Sequence, residues 1–146
     1  MKESAKAGIT YIRSNSDRFN LSESFYKDTD IHIHIPEGAV PKDGPSAGIT
    51  MTLAVISALT KAAVKNNVAM TGEITLTGRV LPIGGLREKV TAAKQAGIDT
   101  VLIPEENKPQ LKDIPDYIKK GLSFVAVSNM DDVVKNAVAE GEKVWR

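Results

Sequence analysis

Residues 41–65 read PKDGPSAGITMTLAVISALTKAAVK, an irregular loop rich in glycine and proline that runs into a continuous apolar stretch. From Ser46 to about Lys65 the segment is rich in alanine and leucine and has no glycine or proline after Gly48, which predicts a long buried helix. Its N-terminus is expected at Pro45 and Ser46, because proline is favoured at the first helical position. The stretch therefore predicts a buried helix with a serine at its start.

Shorter elements precede and follow this helix. Residues 2–15 carry apolar side chains at helical spacing and predict a helix followed by a polar loop. Residues 31–36, IHIHIP, alternate between apolar and polar side chains, which is the period of a half-buried strand with both histidines on one face. Residues 68–83 contain two short runs of Val, Ile, Thr and Leu, split by Thr77 and Gly78. They predict a hairpin or two neighbouring strands.

The C-terminal part of the chain predicts alternating helices and strands. Residues 86–97 carry apolar side chains at helical spacing and end in a glycine, which predicts a helix. VLIP at 101–104 and SFVAVS at 123–128 read as strands, each followed by a helical stretch, and the tail after Asp131 predicts a last helix. This order predicts an α/β fold of the mixed α+β type, in which a mixed sheet is partly covered by helices.

Composition limits the possible functions. With 146 residues, of which 42% are hydrophobic, the chain is expected to form one domain over residues 1–146. A net charge of +1 gives no strong nucleic-acid signal. No apolar run reaches the roughly 18 residues of a membrane-spanning helix, and the start lacks the apolar core of a signal peptide, so we expect a cytoplasmic protein with no membrane partner. The absence of cysteine excludes disulfides and cysteine nucleophiles.

Ser46 stands where the loop turns into the helix, a position that suits a nucleophile. Gly44 lets the backbone pass close to another group, and the first N–H groups of a helix have no internal partner. An oxyanion formed by attack of Ser46 Oγ would lie beside these donors, each of which stabilises it by roughly a few kcal/mol. Two alternatives stay open: Ser46 as an N-cap, and an anion-binding site like that of metabolite kinases, although no Walker-type sequence is present.

A serine hydroxyl needs a base to become a good nucleophile, and Lys89 is the candidate of most interest. It follows a predicted strand and the Gly84-Gly85 turn, so it lies in the first turns of a helix, where the dipole disfavours a positive charge. Leu86 and Val90 make its burial plausible. Both conditions favour the neutral amine that a base requires. The alternative is a solvated surface lysine.

Two long motifs resemble a known protein family. P-K-D-G-P-S-A-G at residues 41–48 resembles the nucleophile motif of the A-type Lon proteases, and T-G-E-I-T-L-T-G-R-V-L-P-I-G-G-L-R-E-K at residues 71–89 resembles the family's second signature, which ends in its catalytic lysine. The resemblance implies the C-terminal proteolytic domain of an ATP-dependent Lon protease. Such a domain is a serine endopeptidase of compact α/β fold that works through a Ser-Lys dyad and an acyl-enzyme.

The same resemblance assigns roles to individual residues. It implies that Ser46 attacks the scissile carbonyl, that Lys89 takes its proton, and that Thr71 hydrogen-bonds the lysine. Asp43 and Glu73 fall at acidic positions that border the site. Asp43 has the alternative role of bracing the loop, and Glu73 that of a structural or interface carboxylate.

Partners and cofactors are also implied by the resemblance. The family forms hexameric rings and degrades damaged, misfolded or short-lived regulatory proteins. ATP and Mg²⁺ are expected to serve only the ATPase module of the full-length enzyme, so no cofactor or metal is expected in this domain. His32 and His34 provide too few ligands for a metal site and are assigned no catalytic role.

One departure from the family concerns the rest of the enzyme. The ATPase and N-terminal substrate-binding regions are absent from this sequence, so we expect a fragment that cleaves peptides or unfolded chains weakly and without ATP. A catalytically silent assembly domain is the remaining alternative.

Overall fold

Helices and short strands alternate along the chain in the computed structural model, which describes residues 2–22, 24–35, 45–139 and 143–145. The α-helices are α1 (Lys2–Ser14), α2 (Phe25–Asp28), α3 (Gly48–Thr60), α4 (Leu86–Gln95), α5 (Asp116–Lys119) and α6 (Met130–Ala137). The strands are β1 (Val68–Met70), β2 (Glu73–Ile74), β3 (Val80–Leu81), β4 (Thr100–Pro104) and β5 (Ser123–Val127). Two 3₁₀ helices span Pro45–Ala47 and Glu105–Asp113.

The strands form two separate sheets. The larger sheet has three parallel strands in the order β1-β4-β5, with Ala69 opposite Val101 and Val101 opposite Phe124. The smaller sheet is the antiparallel hairpin of β2 and β3, in which Glu73 faces Leu81. The predicted α/β class is confirmed, and the hairpin predicted near Thr77 and Gly78 lies where the sequence indicated.

The parallel sheet is covered by helices on both faces. Leu102 of β4 belongs to a core shared with α1, α3 and α6, whereas Val101 and Ile103 belong to a second core with α4 and α5. Successive side chains of a strand point to opposite faces. A strand buried on both faces therefore reads as a continuous apolar run, as the VLIP segment does.

Helix α3 is shorter than its sequence predicts. A 3₁₀ turn over Pro45–Ala47 precedes it, and it ends at Thr60 instead of about Lys65. Lys61 takes the left-handed conformation with φ of 65°, and the residues after it pair with the C-terminal segment, where Lys65 N donates to Ala137 O at 2.8 Å. Backbone pairing with this distant segment overrides the local helical preference.

The histidine segment keeps its predicted period but forms no strand. His32 and His34 are exposed, while Ile31 and Ile33 are half-buried against the core that Leu102 shares with α1, α3 and α6. No strand among the described residues pairs with residues 31–35, so the predicted strand is not formed, because period alone cannot supply a partner. Residue 36 lies outside the described part of the chain.

Over the ranges that the structure describes, each helix is too short or too polar to cross a lipid bilayer.

Candidate active site

The backbone of Ser46 is held by the segment that links β1 to β2. Its carbonyl accepts a hydrogen bond from Gly72 N at 2.9 Å, and Ile49 N in the first turn of α3 donates back to Gly72 O at 3.1 Å. The side chain of Ser46 is half-buried. The serine therefore stands at a helix start whose position is set by contacts with the strands.

Gly48 makes this close approach possible. A Cβ atom at this position would lie 2.9 Å from both the backbone N and Cγ2 of Ile74, closer than real side chains allow. The glycine of the S-A-G sequence thus lets α3 begin directly against β2. A larger residue would push the start of the helix, and Ser46 with it, away from the strand.

Lys89 lies in the first turn of α4, after a glycine turn. Gly85 is the N-cap residue in the left-handed conformation, with φ of 69°, and its carbonyl accepts from Lys89 N at 3.2 Å. The half-buried Lys89 side chain folds back, and its Nζ donates to Gly84 O at 2.9 Å. This carbonyl offsets part of the unfavourable interaction between a cation and the N-terminus of a helix.

Ser46, Thr71 and Lys89 line one groove. Its cavity volume is about 410 Å³. Its remaining lining residues are Ala47, Thr50, Ala69, Met70, Ala92 and Ala93. The small side chains of α3 and α4 leave room for another chain beside the serine. The structure thus brings together three residues, the outermost of which, Ser46 and Lys89, are 43 positions apart in the sequence (89 − 46).

Ser46 and Lys89 share the groove without being joined by a hydrogen bond in the described part of the chain. The lysine ammonium bonds the Gly84 carbonyl instead. Hydrogen bonds between catalytic groups are often long or unmade in the absence of substrate. The geometry therefore places a hydroxyl and an amine at one site, and the dyad stays a prediction.

Thr71 contacts the serine side of the groove. It is 4% exposed, its N–H donates to Leu102 O at 3.1 Å, and its hydroxyl donates to Ser46 O at 3.4 Å. The family resemblance implied a hydrogen bond from Thr71 to Lys89. In this structure the hydroxyl instead supports the backbone of the serine, and the long distance makes this a weak bond.

Of the two acidic residues, only Glu73 lies in the described part of the chain, and it is not brought to the groove. Glu73 opens β2, is half-buried, and is not among the lining residues of the groove. Asp43 lies outside the described residues. That Asp43 and Glu73 border the active site stays a prediction.

The histidines border a different cavity. His32 and His34 line a groove of about 420 Å³ beside Met51, Val55 and Leu59 of α3. Across the ranges described, no three side chains of His, Asp or Glu come together as a metal site would require. Neither histidine lines the groove of Ser46.

Sequence reasoning missed two features of the site. The first is that, among the strands that the structure describes, β1 is an outer strand of its sheet, so that Ala69 and Met70 lie at a strand edge beside Ser46. The second is Asn107, which is fully buried and bonds the backbone of Ile83, just before the glycine turn of Lys89. Neither strand order nor a tertiary hydrogen bond can be read from local sequence, although residues 68–83 did indicate two short strands.

Comparison with known proteins assigns the chain to a family. Residues 1–140 match the family model of the Lon protease (S16) C-terminal proteolytic domain. The chain is 63% identical to the Lon protease of Clostridioides difficile over 138 residues, which are 94% of this chain and 18% of that protein. It is 52% identical to Lon protease 1 of Bacillus subtilis over 143 residues, which are 98% of this chain and 18% of that protein. The chain thus spans less than a fifth of the length of these relatives.

Proposed function

The chain belongs to the family of Lon protease C-terminal proteolytic domains, and from this premise we propose that it is a serine endopeptidase domain with Ser46 as nucleophile and Lys89 as base. The observation that carries the proposal is the shared groove, which is lined by the hydroxyl-bearing Ser46 and by Lys89. A hydrolase that uses serine needs both groups within reach of one carbonyl.

The proposed reaction has two halves. Ser46 Oγ attacks the carbonyl carbon of the peptide bond while the neutral Lys89 amine takes the hydroxyl proton. The tetrahedral intermediate collapses, the C–N bond breaks, and the Lys89 ammonium gives its proton to the leaving amine. A water molecule then attacks the carbonyl carbon of the Ser46 ester while Lys89 takes a proton from the water. The bond between Ser46 Oγ and this carbon breaks, Lys89 returns the proton to Oγ, and the acid product leaves.

Lys89 has to change partner before this reaction. Its Nζ now donates to Gly84 O at 2.9 Å, and the proposed mechanism requires rotation about its side-chain bonds to turn it towards Ser46, which lines the same groove. This rotation breaks the bond to Gly84 O, at a cost of roughly 1 kcal/mol.

The start of α3 supplies the electrostatic part of the mechanism. Ser46 sits in the 3₁₀ turn that leads into this 13-residue helix. Backbone N–H groups at the turn and the positive end of the helix dipole lie on the side of the nucleophile. We assign to them the stabilisation of the oxyanion, worth roughly 3 kcal/mol for one well-placed donor.

The edge of β1 favours an extended polypeptide as substrate. Among the described residues β1 is an outer strand of the sheet, and a second groove of about 380 Å³ continues along it past Val68, Ala69 and Met70. An extended chain can add to such an edge through main-chain hydrogen bonds that read no particular side chain. A folded protein cannot do so, which supports damaged or misfolded proteins as substrates.

The activity of the whole enzyme is part of the same proposal. The relatives are named Lon protease and are more than five times as long as this chain. We propose that in the full-length protein ATP and Mg²⁺ drive an ATPase module, that the protein assembles as a hexamer, and that it degrades short-lived regulatory and misfolded proteins in the cytoplasm. The proposed proteolytic step itself uses only side chains and backbone groups of this domain.

Cleavage of a fluorogenic peptide without ATP tests the dyad. The wild type is compared with Ser46→Ala and Lys89→Ala, and with two matched controls. Ser57→Ala removes another α3 serine, which bonds Ala62 O, and Lys94→Ala removes another α4 lysine, which bonds Lys120 O. We expect loss of activity in the first pair and near-normal activity in the second. Full activity in Ser46→Ala would contradict the mechanism. An inactive wild type that binds peptide would favour a silent assembly domain.

A further inference from the structure

Asn107 is a polar side chain held in the interior beside the turn that precedes Lys89. It lies in the 3₁₀ helix Glu105–Asp113 and is 0% exposed, whereas its neighbours Glu106 and Lys108 are exposed. Asparagine is mostly found at protein surfaces, and burying an amide costs free energy unless its polar atoms are satisfied. Its interior position therefore depends on specific hydrogen bonds.

Those hydrogen bonds pair Asn107 with the backbone of Ile83 in the way a neighbouring strand would. Its Oδ1 accepts from Ile83 N at 2.9 Å, and its Nδ2 donates to Ile83 O at 2.9 Å. Nδ2 also donates to Gln110 Oε1 at 3.0 Å. The side chain thus holds both polar groups of one backbone residue beyond the end of β3.

Ile83 directly precedes the two carbonyls that hold Lys89. Gly84 O accepts from Lys89 Nζ at 2.9 Å, and Gly85 O accepts from Lys89 N at 3.2 Å. A Cβ atom built on Gly84 would meet nothing within 4 Å. Since packing does not hold the turn at this point, its conformation depends on its flanks. Asn107 fixes the flank on the N-terminal side.

We propose that Asn107 is a positioning residue for Lys89. By fixing the backbone of Ile83 it fixes the Gly84 carbonyl, which holds the resting amine, and the start of α4, from which the Lys89 side chain extends into the groove of Ser46. The effect on catalysis rests on the proposed function, whereas control of the lysine's position does not. Displacing a catalytic group by about 1 Å can cost on the order of a hundredfold in rate.

The rate of reductive methylation of Lys89, followed by peptide mass spectrometry, tests this control without any enzymatic assay. In Asn107→Ala we expect Lys89 to react about threefold faster or more, relative to the exposed Lys94 and Lys112, because the turn opens locally. Glu106→Gln is the matched control, since it alters only an exposed neighbour that contacts Arg79 at 3.5 Å. Glu106→Gln should leave unchanged the ratio of the Lys89 methylation rate to the rates of Lys94 and Lys112.

The outcomes decide between positioning and general stability. The proposal would be overturned if the methylation rate of Lys89 in Asn107→Ala were the same as in wild type. It would also be overturned if that rate rose only by the same factor as the rates of the other lysines. If Asn107→Ala does not fold, Asn107→Asp carries the same test. It keeps the shape and the acceptor for Ile83 N, but as a carboxylate it loses the donor to Ile83 O.

Peptidase kinetics test the consequence for catalysis. We expect Asn107→Ala to lower kcat about tenfold with KM within about twofold of wild type, because Lys89 acts in the chemical step and the substrate binds along β1. A raised KM with unchanged kcat would contradict this assignment. Full activity in Ser46→Ala would instead overturn the proposed function, and the methylation ratio would still decide the role of Asn107.

Discussion

The hydroxyl of Thr71 donates to the carbonyl of Ser46 at 3.4 Å, and the N–H of the next residue, Gly72, donates to the same oxygen at 2.9 Å. Thr71 is in turn held to the central strand by its bond to Leu102 O at 3.1 Å. The position of the serine is therefore set by the parallel sheet, although the loop before it carries most of its sequence motif.

Replacing Thr71 tests this support. In Thr71→Val the shape is kept and the hydroxyl is lost, so we expect the free energy of unfolding to fall by about 1 kcal/mol and kcat to fall about threefold to tenfold. Thr71→Ser keeps the hydroxyl and should retain most of the activity. Steady-state peptide cleavage and urea denaturation measure the two effects. Equal kcat in Thr71→Val and wild type would show that the hydroxyl has no part in the site.

The approach of α3 to β2 predicts a large effect at Gly48. In Gly48→Ala the new methyl group would meet Ile74 at 2.9 Å, so we expect a loss of about 1–3 kcal/mol in stability and a loss of peptidase activity in the folded fraction. Gly84→Ala serves as the stability control, because its methyl group would point into open space. Thermal unfolding followed by circular dichroism compares them. Wild-type stability and activity in Gly48→Ala would contradict the close contact.

The packing of α1 on α3 predicts an energetic coupling between Gly8 and Thr52. A Cβ atom at Gly8 would overlap Thr52 Oγ1, and this hydroxyl already donates to Gly48 O at 2.8 Å. We expect Gly8→Ala to destabilise by about 1–3 kcal/mol. In Thr52→Ala the hydroxyl that blocks a side chain at residue 8 is gone. Gly8→Ala should therefore lower the free energy of unfolding by at least about 1 kcal/mol less in the Thr52→Ala background than in wild type. A double-mutant cycle from urea denaturation measures the coupling, and additive effects would argue against the overlap.

Tyr11 predicts a loss of stability at alkaline pH. Burial, together with the negative charge of Asp131, raises the pKa of the Tyr11 hydroxyl from 10.0 to about 12. Folding thus favours the protonated form. The contribution is fully present below about pH 10 and is lost as the pH rises towards about 12.

Tyr11→Phe checks this assignment. The Tyr11 hydroxyl is buried and meets no hydrogen-bond partner within the described ranges, so its removal should change stability at pH 7 by no more than about 1 kcal/mol. The variant should lose less stability than wild type between pH 9 and about pH 11. Identical alkaline profiles in urea denaturation would show that Tyr11 does not titrate with unfolding.

Local patterns were enough to predict most elements of the fold. Apolar spacing and stop signals placed α1 and α4, and the apolar runs placed β4 and β5, because burial imposes its period on these segments. Ser46 and Lys89 were singled out because each stands at a helix start. The sequence also indicated that a glycine-rich loop and a glycine turn precede them.

Features that depend on distant contacts could not be predicted. Helix α3 stops at Thr60 because residues beyond it pair with the C-terminal segment, 72 positions away at Lys65 and Ala137 (137 − 65). Residues 31–35 keep a strand period without a strand partner. Asn107 resembles any polar residue of a surface turn until its bonds to Ile83 are known. In each case the deciding interaction lies outside the local window.

Covalent labelling of Ser46 tests the central claim most directly. The folded domain is treated with a fluorophosphonate, and the labelled peptide is identified by mass spectrometry in the wild type, in Lys89→Ala and in Lys94→Ala. Activation of Ser46 by Lys89 predicts a single adduct at Ser46, formed at least about a hundredfold more slowly in Lys89→Ala and at the wild-type rate in Lys94→Ala. Labelling of Ser46 at equal rates in all three proteins, or labelling of another serine instead, would contradict the Ser46–Lys89 mechanism.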